Sequence, residues 1–156
     1  MKQILGALIV AIALTGTSAV AAPSEERGRV TNLPIPRFVS MKADRGFVRR
    51  GPSRTNRIDW VFQRSDMPLQ VVGEYGHWRQ VRDRDGASGW MHFMLLSGTR
   101  TVIVQEDLAP LHTRPDDRTP IRARAEAGVV ARLSECEIDW CNIRVGRNRG
   151  WVRKTQ

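Results

Sequence analysis

Two stretches of this chain carry the same landmarks in the same order. Trp78-Arg79-Gln80-Val81-Arg82, followed by Gly89-Trp90-Met91, returns as Trp140-Cys141-Asn142-Ile143-Arg144, followed by Gly150-Trp151-Val152. The tryptophans stand 12 positions apart in the first copy and 11 in the second. Upstream, Arg50-Gly51-Pro52 ends 26 residues before Trp78, and Thr113-Arg114-Pro115 ends 25 before Trp140. A lone Trp-x-x-Val is noise; ordered landmarks that keep step across two copies mark a duplicated unit. The fold must therefore be small enough to be built twice. Units of roughly 60 residues bury little surface and are marginal alone, so each is expected to lean on the other or on a covalent staple.

Helix signals are nearly absent. Short runs of β-type residues bounded by turn residues stand out instead: Leu69–Val72, Trp78–Arg82, Gly89–Phe93, Thr101–Gln105, Val129–Leu133, Trp140–Val145 and Gly150–Arg153. Asp83-Arg84-Asp85-Gly86 and Gly146-Arg147-Asn148-Arg149 have the composition of hairpin loops. Alternation is clearest in the second copy, where Cys141, Ile143 and Val145 would share one face and Trp140, Asn142 and Arg144 the other. The expectation is an all-β fold of two small, mostly antiparallel barrels in tandem, over 37–97 and 98–156. Residues 22–36 contain three prolines and no apolar period, which reads as an extended tether.

The segment ahead of the tether reads as an export signal. Lys2 is followed by the apolar run Ile4 to Leu14, a small polar stretch, and Ala19-Val20-Ala21, small residues of the kind a signal peptidase admits. Cleavage is expected after Ala21. The apolar run would span about 16 Å as a helix, against a hydrocarbon core of about 30 Å, so it is too short for an anchor. The mature chain is expected to be periplasmic or secreted, with no integral membrane segment.

Only two cysteines are present, Cys136 and Cys141. In an oxidising compartment an even pair reads as a disulfide, and the spacing suits two strands joined by a tight turn at Glu137-Ile138-Asp139. A zinc site would need four ligands, and no histidine or second cysteine pair is spaced to complete one. A redox pair would prefer two intervening residues at a helix start.

The set Val48-Arg49-Arg50-Gly51-Pro52, Gly76-His77-Trp78-Arg79-Gln80-Val81 and Gly89-Trp90-Met91 resembles bacterial SH3 (SH3b) domains. The wider arrangement is similar to exported two-module SH3-like proteins of alphaproteobacterial type. The leader, Leu33-Pro34-Ile35-Pro36-Arg37-Phe38-Val39-Ser40, and the Cys136/Cys141 pair beside Asp139-Trp140 all fit it. The resemblance implies five- to seven-stranded barrels, whose relatives often bind cell-wall peptides or sit beside cell-wall hydrolases. In the second copy His112-Thr113-Arg114-Pro115 replaces the Arg-x-Gly-Pro turn, which weakens the expectation of a ligand groove there.

Charge narrows the partners. The formal net charge is +9, and only Lys2, Lys42 and Lys154 are lysines, so the basic side chains are nearly all guanidinium. Guanidinium grips carboxylate and phosphate bidentately, where an ammonium is a point charge. An exported chain of this kind would meet peptidoglycan stem-peptide carboxylates, an acidic envelope protein or, weakly, anionic lipid. Export argues against nucleic acid. Arginine as a mere solubilising surface residue remains the competing reading.

No catalytic residue, metal ligand or cofactor is expected. The cysteines are best used on each other, His77, His92 and His112 lack ligand spacing, and Asp83/Asp85 and Asp116/Asp117 sit in turn sequences. The candidate ligand-binding residues are Arg49, Trp60, Tyr75, Trp78, Arg82 and Trp90. If Trp78 and Arg82 share a strand face and Trp90 lies on the paired strand, an apolar platform stands beside a guanidinium, suited to a peptide with free carboxylates. The alternative makes these tryptophans core residues; the sequence leaves both open. Cell-wall peptide recognition is the first functional expectation, and an envelope protein-interaction or scaffold role is the second.

Overall fold

The computed structural model describes residues 26–156, so the expected leader and residues 22–25 lie outside the described residues. The first sheet comprises β1 (Arg37–Met41), β2 (Gly46–Arg49), β3 (Ile58–Phe62), β4 (Pro68–Tyr75), β5 (Trp78–Arg82), β6 (Ser88–His92) and β7 (Leu96–Ser97). The second comprises β8 (Thr101–Ile103), β9 (Ala109–His112), β10 (Ile121–Ala125), β11 (Val130–Cys136), β12 (Trp140–Val145) and β13 (Asn148–Arg153). A 3-10 turn at Phe93–Leu95 is the sole helical piece among the described residues.

The duplication is visible in the topology. The first sheet runs β3-β2-β6-β5-β4-β1-β7 and the second β10-β9-β13-β12-β11-β8, so six strands correspond one to one. All pairings within the two sheets are antiparallel. Each sheet turns one face onto its own apolar cluster. The first gathers Met41, Val48, Leu69, Val71, Val81 and Met91 with Ile35 and Phe62. The second gathers Leu111, Ala131, Ile143 and Val152 with Val104, Ala109 and Ala125. The predicted alternation in β12 holds: Ile143 is core, with Cys141 and Val145 packed against it.

One contact explains the Gly-Trp landmark. In each copy the sixth strand of the scheme meets the second at a single rung, Arg49 opposite Trp90 and His112 opposite Trp151. A Cβ on Gly89 would come within 2.8 Å of Arg49 O and 2.6 Å of Val48 Cγ1; one on Gly150 would come within 2.9 Å of His112 O. The strands can meet there because the glycine has no side chain.

Six strands went unforeseen: β1, β2, β3, β7, β9 and β10. They are short, β9 contains Pro110, and β10 alternates arginine with small or exposed residues, so hydrophobic periodicity is faint in them. The expected four-residue loop at 146–149 is tighter than its composition suggested. Val145 pairs with Asn148, leaving Gly146 (φ 56°) and Arg147 as a two-residue turn.

The described part of the expected tether folds back rather than extending. Arg27 bridges to Pro34, Gly28 N–H donates to Leu33 O, Ile35 N–H donates to Glu26 O, and Ile35 enters the first core. The sequence hid this because its partner, Glu74, lies far along the chain.

A buried hydroxyl chain joins the two sheets. Ser40 Oγ donates to Thr99 O at 2.6 Å, Thr101 Oγ1 donates to Asp66 O at 2.7 Å, and the two hydroxyl oxygens lie 2.7 Å apart. Arg132 adds an exposed ion pair to Asp66 at 3.3 Å.

Candidate functional site

Residues opposite each other in an antiparallel ladder point to the same face. Across the first sheet this places Tyr75 opposite Trp78, and Trp78 opposite His92. The next row is Gly73, Gln80, Trp90 and Arg49, and the next Gln70, Arg82 and Ser88. This face is turned away from the core, which takes Val71, Val81 and Met91. Five of the six expected residues, Arg49, Tyr75, Trp78, Arg82 and Trp90, therefore share one outer surface. Trp60 does not join them. It pairs with Val48, on the inward-pointing side of the edge strand β3, yet stands 51% exposed because no strand covers that edge.

The tryptophans of this face are not core. Trp78 and Trp90 are half-buried and belong to neither apolar cluster, and Tyr75 is 65% exposed. The edge of Trp78 meets His92 at 5.5 Å in a T-shaped arrangement. His77 stacks on Phe93 at 5.6 Å, extending the aromatic surface round the end of β6. Arg49 is held in place by its Nη1 donating to Asn56 O at 2.6 Å. Burial holds His92 below the usual imidazole range, reinforced by the positive charge of Arg54 and by His77 and Arg79.

The equivalent face of the second copy is filled by its own side chains. Trp140 takes the place of Trp78 and is buried, with Arg153 over its ring at 4.7 Å and His112 edge-on at 5.5 Å. Arg153 in turn grips the Asp117 carboxylate through Nε and Nη2. The hydrogen bonds from Arg153, opposed by partial desolvation, draw the Asp117 carboxyl below its usual range. Asn142, in the place of Gln80, accepts from Arg149 Nε at 2.9 Å and donates to Glu135. One copy presents its tryptophan and the other covers it.

A buried carboxylate organises the end of the first sheet, and sequence reasoning missed it. Glu74 Oε2 accepts the N–H groups of Val30 at 3.0 Å and Thr31 at 2.9 Å. Its Oε1 accepts the Thr31 hydroxyl at 2.6 Å and Arg37 Nη2 at 2.7 Å. Burial opposes the charge, but these donors outweigh it and hold the carboxyl at about 2. Arg79, itself buried, lies 3.6 Å from Oε1 and donates to the carbonyls of Gly76 and Trp78, fixing the turn that starts β5. No local signal marks Glu74, since its partners come from the segment ahead of β1 and from two other strands.

The expected disulfide is present between Cys136 and Cys141, which pair across β11 and β12. A separate groove of about 470 Å3 opens between the sheets, with Phe38, Val102, Leu133 and Val152 on its walls and Arg100 and Lys154 among its lining; none of the six expected residues lines it. Among the described residues no three His, Cys, Asp or Glu side chains are placed to hold a metal ion, and no helix is long and apolar enough to cross a membrane.

A family model described as a bacterial SH3 domain matches the chain twice, over residues 42–98 and 105–156. No curated protein matches it. Among solved structures, NlpC2 from Trichomonas vaginalis is similar at 12% identity and a TM-score of 0.35, over 76% of this chain and 46% of that one. The chain thus spans under half the length of that structure.

Proposed function

Because the chain belongs to the bacterial SH3 domain family, matched over both copies, we propose that it is a non-catalytic binding module of the cell envelope. On this reading it holds the peptide stems of cell-wall peptidoglycan against the outer face of the first sheet. The carrying observation is the grouping of Tyr75, Trp78 and Trp90 with Arg49 and Arg82 on one exposed ladder face. Aromatic planes give apolar contact at low ordering cost, and guanidinium groups pair with the carboxylates of a short peptide. A flat face also suits an extended polymer better than an enclosed cavity does. Export through the leader at residues 1–21 would deliver the two barrel-like modules to the periplasm, where such stems are displayed.

The test is sedimentation of the purified chain with intact sacculi. The chain should pellet with them, release on raising salt because the contact is largely ionic, and lose retention in Trp78→Ala and Trp90→Ala. Equal recovery in the supernatant with and without sacculi overturns the proposal.

An envelope protein partner is the second reading, favoured by one observation. Strand β3 is an uncovered sheet edge carrying exposed Ile58, Trp60 and Val61, with exposed Phe47 beside it on β2. Such an edge can accept an added strand from a partner. Co-purification of a defined envelope protein that is lost in Trp60→Lys, with sacculi left bare, would favour this reading over the first.

A further inference from the structure

The loop between the second and third strands is bonded alike in the two copies. Arg50 N–H donates to Arg57 O as Thr113 N–H donates to Pro120 O. Ser53 to Gly51 repeats as Asp116 to Arg114, and Asn56 to Ser53 as Thr119 to Asp116. The side chain at the strand end also matches: Arg49 binds Asn56 O, and His112 Nδ1 binds Thr119 O. These pairings put Arg54 at the place of Asp117. The hairpin register does the same for the facing strand, with His92 opposite Trp78 where Arg153 is opposite Trp140.

In the second copy the two places hold an acid and a base, and the Asp117–Arg153 pair closes over Trp140. In the first copy both places are basic. The carboxylate that completes the pair is missing from the chain, its position reversed to Arg54, and Trp78 is left half-buried instead of covered. We propose that this corner of the first sheet is a carboxylate subsite, in which Arg54 and His92 hold a carboxylate of a bound peptide beside Trp78, where the second copy uses its own Asp117. The proposal rests on the peptide-binding reading above and names the group on the ligand that is recognised.

The details of the corner agree with that chemistry. His92 Nδ1 accepts the Met94 N–H at 3.4 Å, so the proton of the neutral ring sits on Nε2, free to donate. The charged and titratable groups acting on His92 are Arg54 from the loop, His77 from the β4–β5 turn and Arg79 from β5. None is acidic. The Glu74 carboxylate beyond Arg79 is already taken up by Thr31, Val30 and Arg37. An incoming carboxylate would relieve this imbalance, so binding raises the His92 pKa and tightens as pH falls through the imidazole range.

The test uses the full chain and two probes: a soluble disaccharide-tetrapeptide muropeptide with free carboxylates, and the same molecule with its carboxylates amidated. The free probe should bind about tenfold or more tightly than the amidated one, the worth of a charged hydrogen bond. Saturation with it should raise the His92 pKa followed by NMR. Arg54→Ala should lose most of that preference. The double variant Arg54→Asp/His92→Arg copies the closed corner of the second module and should abolish binding with its melting temperature maintained. The reverse graft, Asp117→Arg/Arg153→His, should open a second carboxylate-dependent site. Equal affinity for the two probes, or unchanged binding by Arg54→Asp/His92→Arg, overturns the subsite. If the chain still sediments with sacculi in that event, wall binding stands and the subsite alone falls. If the chain ignores sacculi yet binds the free probe with the expected preference, the subsite stands and wall binding falls.

Discussion

Glu74 faces Arg79 across β4 and β5, with Arg79 Nε 3.6 Å from Glu74 Oε1, at the rung that Cys136 and Cys141 occupy between β11 and β12. The two copies brace the same hairpin by different means. In the first the brace is a buried ion pair that also gathers the segment ahead of β1. In the second it is a covalent bond that needs no outside partner. Residues 26–35 are therefore tied into the first copy through Glu74 and Ile35.

Glu74→Gln should destabilise the first module by about 3 kcal/mol, since it leaves the buried Arg79 and the partly buried Arg37 without a counter-charge. Residues 26–35 should detach, which limited proteolysis would detect. The pH dependence has a definite sign. The folded carboxyl is depressed from 4.5 to about 2, so its contribution is complete above about pH 4.5 and is lost as pH falls towards 2. A denaturation series from pH 5 to 2 should show a larger loss in the native chain than in Glu74→Gln, where the arginine-paired Asp59, Asp116 and Asp117 still contribute.

Reduction of Cys136–Cys141 should lower the stability of the second module by about 2 kcal/mol, the modest gain expected for so short a closed loop. The first module should melt unchanged. Calorimetry of the native and reduced chain separates the two transitions; a shift confined to the first would contradict the assignment.

Thr101→Val removes a hydroxyl that donates to Asp66 O while keeping the side-chain shape. A buried group left without a partner costs about 1–3 kcal/mol, here the Asp66 carbonyl, while Ser40 keeps its bond to Thr99 O. The two thermal transitions should move apart as the modules uncouple, where an intact junction brings them together.

Gly89→Ala should break the single rung between β2 and β6. The new methyl would lie 2.8 Å from Arg49 O, a backbone atom that cannot swing aside. Overpacking of this kind costs about 1–3 kcal/mol. Because Trp90 is on that rung, its fluorescence should shift towards the solvent-exposed value before the module unfolds.

Much of the architecture was legible from residues alone. The repeated Trp and Gly-Trp landmarks located equivalent strands, and alternation through Cys141, Ile143 and Val145 assigned the faces of β12 correctly. The grouping of Trp78, Arg82 and Trp90 followed from period-two geometry along β5 and its hairpin partner. Trp60 stands apart from the group because it pairs with Val48, the inward side of the edge strand β3, and no clear alternation along Ile58–Phe62 announces that strand. Glu74 was invisible for a different reason: a carboxylate in a strand reads as solvated until its donors are located.

Local spacing alone determined that this chain is a doubled all-β protein and which side of its best strands turns inward, because side-chain direction in a strand follows position along it. Only the tertiary structure decided which tryptophan stays open. Trp78 and Trp140 have equivalent places in their hairpins, and their exposure differs because Arg153 and Asp117, 36 residues apart, meet over one ring while Arg54 and His92 cannot pair over the other. Contacts between residues so far apart in sequence depend on how the strands cross, and that is settled only when the sheet has formed.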